Sequence, residues 1–388
     1  MSIAHSHLKA AVRILSGHDG KTPFPDHARA YFRVNRQHGG RDRRSILTLC
    51  YASLRMGGTL TGLGVDLRIV AGLFLTLDAP DRMLQELDAS LNSKLPMPLE
   101  DRLNILKDRY PAFDPGRIFP WGSELGGNID AAAFSRSHLI QPDLFVRLRP
   151  GREKDVLNKL DGEGMSYDMV GTSALRLGSG SDLAKLFTAD RELVVQDLSS
   201  QRVGELMKGC PGVSDAWDCC AGSGGKTILL HDIFPDARIS ASDIRPSILN
   251  NLRSRLEVAR INGVTTFPVD LVDAAVKGHG PFDMILADVP CTGSGTWGRN
   301  PEWLTCFDPS TIASFAARQK VMAWHASQAL KPGGYFLYIT CSVFRAENEE
   351  VVEYLQRSAG LKLEEMRYLT GYLERADSLF AARLTSPA

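Results

Sequence analysis

Two cysteines in this chain end apolar runs. Cys291 follows Phe-Asp-Met-Ile-Leu-Ala-Asp-Val-Pro over residues 282–290, and Cys341 follows Tyr-Phe-Leu-Tyr-Ile-Thr over 335–340. Both runs read as buried strands emptying into loops, and in an open α/β sheet the C-terminal strand ends face the ligand crevice. Asp288, Cys291 and Cys341 are therefore expected to converge. A thiolate adds well to carbon 6 of a pyrimidine, and the addition makes carbon 5 enamine-like, able to take up an electrophile. The carbon 5 proton must then leave and the thiol must be eliminated, so a second thiol has a separate use. A carboxyl group poised by burial can hold a proton on the ring nitrogen or bind the exocyclic amine, drawing electrons into the ring. Free cysteine is also a common packing residue, and Cys50, Cys210, Cys219 and Cys306 are read that way.

A second chemical signal lies upstream. Asp218-Cys219-Cys220-Ala221-Gly222-Ser223-Gly224-Gly225-Lys226-Thr227 follows one expected strand and opens a helix, and its glycines let a ligand approach the backbone. A phosphate-binding Walker loop ends in Gly-Lys-Thr as this one does, but Cys220 stands where its first glycine belongs. A dinucleotide fingerprint begins with Gly222-Ser223-Gly224, but Thr227 takes the place of its third glycine. A methyl-donor loop needs only the Gly-rich turn and an acidic residue ending the next strand to accept both ribose hydroxyls, and Asp243 sits there. Asp270, at the end of the third strand, is a candidate partner for an adenine amino group, or else a turn or cap residue.

These residues need a scaffold. Up to about residue 110 the apolar positions recur at helical spacing, broken by Gly39-Gly40, Gly57-Gly58, Ala79-Pro80 and Pro96 with Pro98, which predicts a helical bundle. A Pro- and Gly-rich passage over 111–127 suggests a linker. A small α/β module follows, with strands at 144–148 and 173–177 and a helix at 153–160. From 214 onward strands expected at 216–221, 239–244, 267–270, 284–289 and 335–340 alternate with helices, among them 226–233 and 310–330, which predicts a parallel doubly wound sheet. Residues 361–369 and 379–384 look like a final strand pair. The expected domains are 1–120, 121–205 and 206–388.

Bulk composition narrows the function classes. The chain has 388 residues, 44% hydrophobic and 23% charged, and its 45 basic and 45 acidic residues cancel. Neutrality argues against nucleic-acid contact over the whole surface, yet Arg33, Arg36, His38, Arg41, Arg43 and Arg44 form a local positive cluster, read equally well as an RNA contact or a solvated face. No apolar run approaches the ~20 residues that span a bilayer, and no signal-peptide pattern is seen, so no membrane partner and a cytoplasmic location are expected. Seven unevenly spaced cysteines predict reduced thiols, and no spacing matches a zinc site, so no metal is expected.

At these residues the sequence resembles the RsmB/Sun/Nop family of RNA cytosine-5 methyltransferases, bacterial ribosomal RNA type, from about Gln196 to the C-terminus. The family's entry motif appears as Gln196-Asp197-Leu198-Ser199-Ser200-Gln201, its Asp-x-Pro-Cys-Ser/Thr-Gly loop as Asp288 to Gly293, and its Thr-Cys-Ser and Glu-Asn-Glu motifs as Thr340-Cys341-Ser342 and Glu347-Asn348-Glu349. The resemblance implies a Rossmann-like class I methyltransferase sheet, a small α/β linking module and an N-terminal all-helical NusB-like domain that adds an RNA-docking surface. It implies that Cys341 attacks carbon 6, that Cys291 assists product release and that Asp288 contacts base or cofactor. It places Cys220, Ala221, Gly222, Ser223, Gly224, Gly225, Lys226, Asp243 and Asp270 around S-adenosylmethionine, with Lys226 also facing the target base.

DNA cytosine-5 methyltransferases use the Pro-Cys cysteine as nucleophile, so the Thr340-Cys341-Ser342 motif selects RNA over DNA. Ribosomal RNA is the expected substrate of a monomeric enzyme. The alternatives are transfer RNA, or a non-catalytic RNA-binding or ribosome-assembly factor that kept the fold. Two departures stand out: Ser223 replaces the family's usual proline, and Val146-Arg147-Leu148-Arg149-Pro150 stands where Leu-Arg-Val-Asn is common, which puts RNA contacts there in doubt.

Overall fold

The computed structural model describes residues 2–273 and 280–387. These form two compact units. One comprises Met1–Ser123, Asp130–Gln141 and Trp297–Pro309, the other Glu124–Ile129, Pro142–Thr296 and Ser310–Ala388.

The first unit is helical, as the 3.6-residue periodicity predicts. Its main helices are Ile3–Ser16, Phe24–Val34, Gly40–Leu54, Val65–Thr76 and Leu99–Arg109. Gly72 lets two of them meet closely, since a Cβ there would stand 2.2 Å from the Ala52 carbonyl oxygen. Periodicity gave no warning that residues 297–309 join this unit. They do so because Trp297, 1% exposed, packs its ring 5.5 Å from Trp121, 5.8 Å from Phe119 and 4.7 Å from Phe307.

The second unit begins with a four-stranded antiparallel sheet: β1 (Leu144–Leu148), β2 (Asp168–Val170), β3 (Ala174–Leu177) and β4 (Leu193–Val195), in the order β2-β3-β1-β4. Sequence reading found β1 and β3 and missed β2 and β4, each only three residues long and too short to show a period. A seven-stranded sheet follows, made of β5 (Asp215–Asp218), β6 (Arg238–Asp243), β7 (Thr265–Pro268), β8 (Phe282–Asp288), β9 (Leu330–Thr340), β10 (Lys362–Leu369) and β11 (Leu379–Thr385). Its order is β10-β11-β9-β8-β5-β6-β7, parallel from β9 to β7, with β11 antiparallel to β9 and β10 antiparallel to β11. This is the Rossmann-like class I methyltransferase sheet expected from the alternation and the resemblance.

Strands buried on both faces must be apolar throughout. Trp217, Ile285, Phe336 and Tyr338 accordingly enter one core with Met322, Val351 and Leu355, while Ala216, Met284, Leu286 and Leu337 enter the other with Val203, Leu229 and Leu230. The strand order reverses between β5 and β8, and ligands of such sheets bind beside that switch point, outside the carboxyl ends of the strands.

The small module packs on the larger sheet's helices. Arg147 and Arg149, both under 10% exposed, turn inward onto Asp232 of the helix Gly225–Ile233, at 2.5 and 2.8 Å. Arg147 Nε also donates to Gln196 Oε1 at 2.9 Å. Arg149, which stands where the family pattern has asparagine, and Arg147 are thus held in one internal ion-pair cluster. Removing one partner of a buried ion pair strands the others without compensation. Asp232→Ala should therefore lower unfolding stability by about 3–5 kcal/mol in a urea titration, and a loss below 1 kcal/mol, the scale of an exposed pair, would contradict this reading.

Candidate active site

The parallel register brings the carboxyl ends of β5, β8 and β9 together. In β8 and β9 Asp288 stands opposite Ile339, so the loops carrying Cys291 and Cys341 leave the sheet side by side. Their sulfurs lie 3.2 Å apart. Backbone bonds hold this approach: Gly295 N donates to the Cys341 carbonyl at 2.9 Å, and Ser378 N donates to the Gly295 carbonyl at 2.9 Å. Only glycine fits at 295, because a Cβ there would stand 2.0 Å from the Ser378 carbonyl oxygen.

Lys226, the second residue of the helix that opens after the Gly-rich loop, crosses to β8, where its Nζ donates to Asp288 Oδ2 at 2.7 Å. Burial opposes the lysine's charge, but the Asp288 carboxylate, with Cys341 and Asp218 nearby, outweighs it and raises the lysine's pKa. Lys226 therefore stays cationic beside the cysteines. The Cys341 sulfur and burial together push the Cys291 thiol well above its ordinary range. The neighbouring sulfur and burial thus favour the thiol form of Cys291. Cys50, Cys210 and Cys219 are fully packed, and burial pushes the first two up to about 12. Cys306 is half-buried near Gly20 in the helical unit.

The Gly-rich loop is built to expose backbone. Gly222 and Gly224 adopt positive φ, at 52° and 91°. Gly224 combines a φ that side chains rarely adopt with a Cβ position 2.1 Å from Leu252 Cδ1, whereas a Cβ on Gly222 or Gly225 would meet nothing within 4 Å. Bare backbone therefore borders open space. Asp243 ends β6 and accepts from Gly222 N at 3.1 Å, from Arg245 N at 2.9 Å and from the Arg245 guanidinium. Burial works to raise its pKa, but the Arg245 bonds prevail and hold it below the ordinary carboxylate value. A carboxylate has about four acceptor positions, so a vicinal diol must share Asp243 with Arg245. Asp270 lies beyond β7, and its Oδ1 accepts from Val272 N at 2.8 Å.

Three features were not legible in advance. Ser223, the departure from proline, gives its hydroxyl and carbonyl oxygens to Arg255 at 3.2 and 2.9 Å, and Arg255 pairs with Asp190 at 2.6 Å, so the loop is braced from outside. Glu347 bridges the two cysteine loops, where the only signal was its place in the Glu-Asn-Glu motif. Asp218, fully buried at the end of β5, accepts from Thr227 Oγ1 at 2.6 Å while its Oδ1 has no partner among the described residues. Among those residues no cluster of His, Cys, Asp or Glu could hold a metal.

Burial, with Asp288 and Asp243 adding to it, pushes the Asp218 carboxyl up from 3.8 to about 7. Between those values the folded chain holds a proton that the unfolded chain has released, so this group's contribution to stability falls as pH rises through the window. Asp218→Asn, which can still accept from Thr227, should gain in thermal midpoint relative to the parent between about pH 4 and about pH 7. A constant difference across that window would contradict the assignment.

Comparison with known proteins places this geometry. Residues 212–378 match the family model described as 16S rRNA methyltransferase RsmB/F. Ribosomal RNA small subunit methyltransferase B of Xanthomonas campestris is 32% identical over 196 residues, 50% of this chain and 45% of the relative. Its namesake from Xylella fastidiosa strain Temecula1 is 32% identical over 248 residues, 62% of this chain and 55% of the relative. The chain spans about half the length of the curated relatives it matches. Among solved structures, that of PH0851 superposes with a TM-score of 0.70 at 19% identity, covering 99% of both chains. NSun6 from Pyrococcus horikoshii, solved with SFG, gives 0.61 at 15% identity over 71% of this chain and 98% of that one.

Proposed function

Given that this chain belongs to the RsmB/F methyltransferase family through residues 212–378, we propose that it is an S-adenosylmethionine-dependent ribosomal RNA (cytosine-5) methyltransferase with Cys341 as nucleophile. The observation that carries the reading is the pair of sulfurs 3.2 Å apart, beside a Lys226–Asp288 pair and an open Gly-rich loop. The relatives' names support ribosomal RNA as the substrate class.

The bare backbone of the Gly-rich loop and the Asp243 carboxylate would hold the cofactor, which when bound supplies an electrophilic methyl group. Cys341 does the first part of the chemistry. As a thiolate it forms a bond from Sγ to carbon 6 of cytosine and drives electron density onto carbon 5. Asp288 Oδ2 is engaged by Lys226, which leaves Oδ1 to accept from the exocyclic amine of the base. Once carbon 5 is methylated, its proton leaves to solvent, the carbon–carbon double bond re-forms and the Sγ–carbon 6 electron pair returns to Cys341. Cys291, still a thiol, donates to that returning sulfur and eases its departure.

RNA docking is assigned to the helical unit. Arg33, Arg36, Arg41, Arg43 and Arg44 are exposed around the end of helix Phe24–Val34 and the start of helix Gly40–Leu54. Arg43 also lies over the Phe32 ring at 5.6 Å.

Cys291→Ala, incubated with substrate RNA and cofactor, should accumulate a covalent protein–RNA adduct that survives denaturing gel electrophoresis, and Cys341→Ala should form none. An adduct that persists in the double variant would sink the assignment of roles. Replacing Arg33, Arg36 and Arg41 together with alanine should weaken RNA binding and flatten its dependence on log salt by ~0.7–0.9 per lost phosphate contact, and an unchanged salt slope would remove these residues from the interface.

A further inference from the structure

The Glu347-Asn348-Glu349 motif has no part in the chemistry described so far, yet Glu347 and Asn348 are 0% exposed. A carboxylate is removed from water at this cost only when hydrogen bonds replace the lost hydration. Glu347 receives four. Thr292 donates both its backbone N–H at 2.9 Å and its hydroxyl at 2.5 Å, Ser342 donates its hydroxyl at 2.8 Å, and Gln319 Nε2 donates at 2.9 Å. Thr292 adjoins Cys291 and Ser342 adjoins Cys341, so one carboxylate ties both cysteine-bearing loops to a single point. Gln319 strengthens the tie by donating also to the Pro290 carbonyl at 2.9 Å. Asn348 fixes the Cys341 side independently, donating to the Ser342 carbonyl at 2.9 Å and accepting from Thr340 Oγ1 at 2.5 Å.

We propose that Glu347 is a positioning residue that clamps the Cys291 loop to the Cys341 loop and thereby sets the division of labour between the two sulfurs. The inference rests on the methyltransferase reading for its purpose, while the clamp itself stands on these contacts. Besides fixing the 3.2 Å separation, the Glu347 carboxylate joins the Cys341 sulfur and burial in pushing the Cys291 thiol up, so the clamp keeps the release residue protonated. A neutral amide at 347 would present a donor where only donors face it, and would withdraw the negative charge.

The test uses the full chain. Glu347→Gln and the parent are treated with limiting iodoacetamide at mildly alkaline pH, and alkylation at Cys291 and Cys341 is quantified by peptide mass spectrometry. The parent should react chiefly at Cys341, and Glu347→Gln should raise the Cys291 share about tenfold, the change in thiolate fraction for one pKa unit. With RNA and cofactor, the same variant should lose about tenfold in kcat with KM for RNA unchanged, and should retain more covalent adduct than the parent, as expected when release fails. A structural role alone would not lengthen the adduct's life. If Glu347→Gln shows no cooperative thermal transition, Thr292→Val decides the matter, since it removes one donor and spares the carboxylate; it should shift the alkylation ratio in the same direction by a smaller factor. An unchanged ratio in a folded variant overturns the proposal. The alkylation needs no RNA, so absence of any adduct in Cys291→Ala counts against the methyltransferase reading alone.

Discussion

The register between β8 and β9 is the constraint on which the site depends. Side chains alternate faces along a strand, so a slip of one residue would send Asp288 to the opposite face of the sheet and move the Cys291 loop away from Cys341. Burial on both faces opposes such a slip: Ile285 and Phe336 are committed to one core, Met284 and Leu337 to the other. Hydrophobic packing at the centre of the sheet therefore sets sulfur geometry at its edge. The loops add the finer adjustment, with Gly295 allowing backbone contact that any side chain would block.

The electrostatics of the site follow from crowding several ionisable groups at neighbouring strand ends. Asp218, Asp243 and Asp288 end or adjoin three neighbouring strands, and each has a different partner. Lys226 neutralises Asp288, Arg245 neutralises Asp243, and among the described residues Asp218 receives only the Thr227 hydroxyl, so burial pushes it up to about 7. Cys291, in contact with the Cys341 sulfur, is likewise set by its surroundings, which oppose its ionisation. Unequal environments turn similar side chains into distinct chemical agents.

Much of this was legible in the chain. Apolar runs ending in Asp-Val-Pro-Cys and Thr-Cys-Ser located both cysteines at strand ends, and strand–helix alternation gave the sheet. The buried contacts were not legible, because each joins residues far apart in sequence. Arg147 and Arg149 meet Asp232, and Trp297 packs against Trp121, pairings that no local pattern in the chain signals. Strands β2 and β4 were too short for periodicity to reveal. Ser223 read as the loss of a rigid proline, whereas Arg255 supplies an external brace in its place.

The central claim is that the paired sulfurs serve methylation of cytosine carbon 5 in ribosomal RNA. Bisulfite sequencing of ribosomal RNA, from cells that have or lack the gene and from cells in which Cys341→Ala replaces the parent, tests it most directly. At least one cytosine should be protected from conversion with the parent protein and become fully convertible both in its absence and with the variant. Identical conversion at every ribosomal RNA cytosine in all three would contradict it.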